Sequence, residues 1–122
     1  MKRFVLAAAT LCLAATTAYA DPFAGAYGNT VNQTTPDGKT YKIYVNQDGT
    51  WESVSAEGDV KGTFTWKDAT HACFVQTNPV PKDPSKTDGC NEIKGEHKAG
   101  DSWTETLPNN AGSIAMSITA GR

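Results

Sequence analysis

TYKIYVNQDGTWESVSAEGDVKGTFTW, residues 40–66, decides the fold. Tyr41, Ile43 and Val45 alternate with Lys42, Tyr44 and Asn46. Further on, Val60, Gly62, Phe64 and Trp66 alternate with Lys61, Thr63 and Thr65. A period of two puts one set of side chains on each face of a β-strand, one face toward a core and the other toward water. Between these runs stand Asp48-Gly49 and Glu57-Gly58-Asp59. Asp tolerates left-handed backbone angles and Gly adopts them freely, so both sites reverse the chain at low cost. The stretch reads as three antiparallel strands joined by tight turns.

The same rhythm extends in both directions. Turn chemistry recurs at Pro36-Asp37-Gly38, Asp88-Gly89, Ala99-Gly100-Asp101 and Asn109-Asn110-Ala111-Gly112. Ile114, Met116 and Ile118 alternate with Ser113, Ala115 and Ser117. Strands are predicted over 25–33, 39–46, 50–56, 60–67, 71–77, 90–97, 101–107 and 113–120. No segment sustains a helical period of 3.6 residues. The expectation is an all-β domain: a small antiparallel up-and-down barrel, or a strongly curved meander, of about eight strands. The bulk of Tyr27, Ile43, Phe64, Trp66, Met116 and Ile118 predicts an interior filled by side chains.

The first twenty residues read differently. Lys2 and Arg3 precede an apolar run from Phe4 to Ala15, and Ala18-Tyr19-Ala20 forms an A-x-A site. This is the pattern of a cleaved secretory signal peptide over 1–20, leaving a single domain over 21–122. The apolar run is shorter than the roughly 20 residues that span a bilayer. The alanine-rich leader fits a bacterial exporter and a periplasmic or secreted destination. With Lys2 and Arg3 gone, 13 acidic residues face 11 basic ones less those two, a net charge of about −4. No basic cluster remains to neutralise phosphates, which argues against nucleic-acid binding. Cys12 leaves with the leader, so Cys73 and Cys90 are the only pair available for a disulfide in an oxidising compartment. The expected state is a monomer that does not span the membrane once the leader is removed.

Gly25-Ala26-Tyr27 on the expected first strand and Arg122 at the end of the chain carry a resemblance. The layout resembles the lipocalin-like (calycin) barrels, in which a G-x-W on the first strand packs beneath a late basic residue. Here Tyr27 stands at the tryptophan position. The pattern of leader, D-G-T hairpins, one disulfide and a final Gly-Arg is also similar to small exported bacterial proteins of unknown function. The calycin resemblance implies a barrel; the likeness to the small exported proteins implies no function.

CFVQTNPVPKDPSKTDGC, residues 73–90, is the longest irregular stretch. Pro79, Pro81 and Pro84 fix φ and withhold backbone donors, so the segment is expected to be extended and solvated rather than a paired strand. Asn78, Pro79, Pro81, Lys82 and Pro84 are candidates for a partner-binding loop whose ordering is prepaid by the prolines and the disulfide. Tyr27, Asn29, Trp66, Trp103 and Glu105 are candidates for lining a ligand cavity, since an apolar body with a few polar groups is how barrel interiors hold small molecules. Catalytic motifs are missing: the chain has no G-x-S-x-G, no P-loop and no G-x-G-x-x-G. His71 and His97 are its two histidines, and neither shows ligand spacing with Glu96 or Asp101. Asn46 and Asp48 precede Gly49 as in a calcium loop, but Tyr44 occupies the first ligand place. The reading is therefore a non-enzymatic protein with no cofactor and no metal. It would bind a small apolar ligand or an envelope protein, or inhibit a secreted enzyme through the loop 73–90.

Overall fold

The computed structural model describes residues 21–122; the expected leader lies outside the described residues. The domain is all-β. Its eight strands are β1 (Thr30–Thr34), β2 (Thr40–Val45), β3 (Thr50–Val54), β4 (Val60–Trp66), β5 (His71–Asn78), β6 (Gly89–Glu92), β7 (Ser102–Thr106) and β8 (Ser113–Thr119). They form one antiparallel sheet in the order β6-β5-β4-β3-β2-β1-β8-β7. The ladder from β1 to β8 bends the meander round on itself. The result is a curled half-barrel, open between β6 and β7, which are its two edges.

The alternation over residues 40–66 matches the burial. Gly62 and Phe64 are buried, while Lys61, Thr63 and Thr65 are exposed. Ile43 faces Ser53 and Val45 faces Trp51 across the β2–β3 pair, which keeps one face continuous from strand to strand. That concave face holds the core of Ala26, Val31, Val45, Phe64 and Ile118, with Ile43, Trp51, Trp66, Phe74, Trp103 and Met116 packed around it. The aspartate turns hold the hairpins. Asp48 accepts from the Thr50 amide at 3.0 Å and from its hydroxyl at 2.6 Å, and Gly49 takes the left-handed φ of 89° that the reversal needs.

Three expectations are corrected. The first strand begins at Thr30, not at residue 25. Residues 21–29 instead form overlapping turns, with Ala24 N–H donating to the Asp21 carbonyl and Ala26 and Tyr27 N–H to the Phe23 carbonyl. Tyr27 and Asn29 therefore do not alternate along a strand. This segment lies on the core, where Phe23 meets Phe64, Trp66 and Phe74 at ring-centroid distances of 5.4, 4.9 and 6.1 Å. Next, Gly89 begins β6 opposite Phe74, rather than closing a turn with Asp88. Finally, β6 stops at Glu92, well short of 97. Beyond Ile93, whose N–H still reaches the Thr70 carbonyl, the chain leaves the sheet and runs irregularly to β7.

Candidate functional site

The loop over 79–88 joins β5 to β6. Cys73 and Cys90 lie directly opposite one another in that pair and are joined by a disulfide. Thr65 pairs with Cys73 while Phe64 pairs with Phe74, so the sulfurs share the outer face and the aromatic rings the inner one. The bridge fits an oxidising, non-cytoplasmic compartment. No helix among the described residues is long and apolar enough to cross a membrane.

Above the disulfide, side chains of β5 and the loop fix its shape. Gln76 Nε2 donates to the Pro79 carbonyl at 2.7 Å, and the Asn78–Pro79 peptide is cis. Asp83 accepts from Ser85 N–H at 3.2 Å and from Ser85 Oγ at 2.6 Å. It thereby caps a short 3-10 turn, Pro84–Lys86. The Asp88 N–H donates to the Pro84 carbonyl at 2.9 Å, closing the far side. The sequence reading missed this turn. Its signal was Asp83 followed by Pro84, an N-cap acceptor and a proline whose missing N–H costs nothing in a first turn. Between the two braced ends the loop is bare. Val80 is 83% exposed, Asn78, Pro79, Lys82 and Pro84 are exposed, and Pro81 is half-buried. The five candidate loop residues thus lie together on one braced segment.

The five cavity candidates do not gather in the same way. Tyr27, Trp66 and Trp103 pack around the core as filling. Tyr27 donates its hydroxyl to Asp21 Oδ2, and burial together with that bond raises its pKa above the ordinary tyrosine value. Asn29 is a structural tie: its Nδ2 donates to the Gly25 carbonyl at 2.9 Å and its Oδ1 accepts from Gly121 N–H at 3.0 Å. Glu105 is exposed at the β7 edge and accepts from Trp103 Nε1 at 3.3 Å.

A cleft of about 430 Å³ opens elsewhere, where the 21–29 segment meets the irregular connection before β7. Asp21, Glu96, Lys98 and Asp101 supply its charged groups, with His97 beside them. The His97 ring stacks on Trp103 at 3.5 Å, nearly parallel, and its Nδ1 lies 3.8 Å from Asp101 Oδ2. His71 is engaged within its own turn, Nδ1 lying 2.9 Å from Asp68 Oδ1. Among the described residues no group of three His, Cys, Asp or Glu side chains is arranged to hold a metal ion.

Arg122 is anchored to two neighbouring parts of the chain. Its guanidinium closes one end of the sheet, donating to the Val45 carbonyl at 2.6 Å, to Asn46 Oδ1 and to the Asn29 carbonyl at 3.2 Å. The ring it covers is Tyr44, 5.2 Å away, and not Tyr27. No protein-family model, no curated protein and no solved structure matches this chain.

Proposed function

We propose that the protein is a non-catalytic binding module, exported to the periplasm or beyond the cell, that holds an envelope or secreted protein through the loop over 78–88. The observation that carries this reading is Val80, 83% exposed on a loop braced by Gln76, Asp83 and the Cys73–Cys90 bridge. An apolar side chain held out in water by a pre-ordered backbone favours contact with a partner, because little chain entropy is lost on binding. A small apolar ligand fits less well. The concave face is occupied by aromatic rings, and the cleft beside His97 includes the carboxylates of Asp21, Glu96 and Asp101 in its lining.

The test is to replace residues 78–86 with a short glycine-serine bridge in the oxidised protein. Both forms are then used to capture cross-linked partners from the host envelope fraction. Intact protein should retain a specific partner and the bridged form should not, while both melt at similar temperatures. Equal capture by the two forms would remove the loop from the binding surface.

A further inference from the structure

We infer that the partner is a secreted endopeptidase whose specificity pocket carries a carboxylate, and that Lys82 is the side chain inserted into that pocket. This rests on the loop-binding reading above and names its partner.

Val80-Pro81-Lys82-Asp83-Pro84 crosses the outer part of the loop, exposed except at the half-buried Pro81. Lys82 is exposed, and no salt bridge to it is present among the described residues. Its ammonium is free to enter an acidic pocket, as the basic residue of a substrate does for enzymes of the trypsin type. Endopeptidases take their substrates as extended strands, by main-chain pairing with side-chain pockets. The backbone immediately after Lys82 is already extended, with Asp83 at φ −133° and ψ 95°. Pro81, before the lysine, holds φ in the range an extended chain uses. Lys86, the other lysine of the loop, lies within the 3-10 turn and cannot be offered as an extended strand.

The same geometry opposes cleavage after Lys82. Asp83 would begin the departing chain, yet its carboxylate is bonded to Ser85 and its carbonyl accepts the Lys86 N–H at 3.1 Å. Pro84 offers no N–H to the enzyme on that side. Both sides of the bond stay anchored, the leading one through the bond from Gln76 to Pro79 and the trailing one through Cys90. A segment held in this way is bound as a substrate and released slowly.

Oxidised full-length protein should be titrated against trypsin acting on a small chromogenic amide, with chymotrypsin in parallel. Inhibition of trypsin and not of chymotrypsin is expected. Lys82→Ala should weaken it at least about 30-fold, the low end expected when one member of a desolvated charge pair is removed. Lys82→Leu should shift inhibition toward chymotrypsin. The inference is overturned if trypsin is unaffected at large molar excess, if Lys82→Ala inhibits equally well, or if trypsin cuts rapidly after Lys82 without being inhibited. If trypsin is unaffected while replacement of 78–86 still abolishes partner capture, the endopeptidase assignment fails and the loop remains the binding surface.

Discussion

A Cβ at Gly25 would stand 1.9 Å from the carbonyl oxygen of His97, inside any van der Waals contact. The 21–29 segment and the connection before β7 touch backbone to backbone at this point, and a glycine is what permits it. Gly25→Ala should destabilise the fold by about 2–3 kcal/mol in urea unfolding, as an overpacked site does. Two residues on, Tyr27 gives a pH signature. Its folded pKa is raised, first by burial and then by its bond to Asp21, from an ordinary value of 10.0. The stability it contributes is complete below that value and is lost as pH rises through the higher folded one. Tyr27→Phe should flatten the alkaline limb of the melting temperature. These roles were hidden in the sequence because Gly25-Ala26-Tyr27 fits a strand over three letters. The turns that occupy it depend on Phe23 finding a site among Phe64, Trp66 and Phe74, a contact with no local signal.

At the scale of the element, three of the hairpins, β1–β2, β2–β3 and β4–β5, share one device: an aspartate whose carboxylate caps the amide two residues on. Asp37, Asp48 and Asp68 all have lowered pKa values. For Asp68 the leading cause is the Thr70 amide, followed by His71. A depressed carboxylate contributes stability above its unfolded value of 3.8, and that stability is lost as pH falls through the lower folded value. Melting temperature should therefore drop toward acid, and Asp68→Asn should drop less steeply than the parent. Strands β2, β4 and β8 were legible because period-two alternation and turn residues gave the same answer. The end of β6 was not. Its four residues are all exposed, so burial imposes no pattern, and only pairing with β5 defines it. The 3-10 turn is readable in Asp83-Pro84 but lies inside a segment whose three prolines point to an extended, solvated chain.

Across the described residues, Arg122 and the Cys73–Cys90 disulfide add ties beyond the sheet's own hydrogen bonds. Arg122 ties the C-terminus to β2 and to Asn29. Arg122→Ala should cost about 1 kcal/mol, below the usual range for bonds to a charged group because the residue is exposed. The disulfide closes the longest irregular connection. Replacing both Cys73 and Cys90 with serine should cost about 3 kcal/mol in the chain-entropy account, read as a lower urea midpoint. The meander itself was foreseeable from the spacing of turns. Whether its two edges would meet was not, since every strand of either form needs a single buried face.

The placement of the sulfur bridge has one more consequence. It rivets the outermost strand, four solvent-facing residues long, onto a neighbour that carries Phe74, Val75 and Thr77. Under reducing conditions that slat can peel away, leaving His71, Ala72, Cys73 and Phe74 as a bare hydrogen-bonding rim beside the exposed Val75. Such a rim is a template for another chain, so thiol reductants should drive the protein into oligomers or fibrils, visible by light scattering, before its core unfolds.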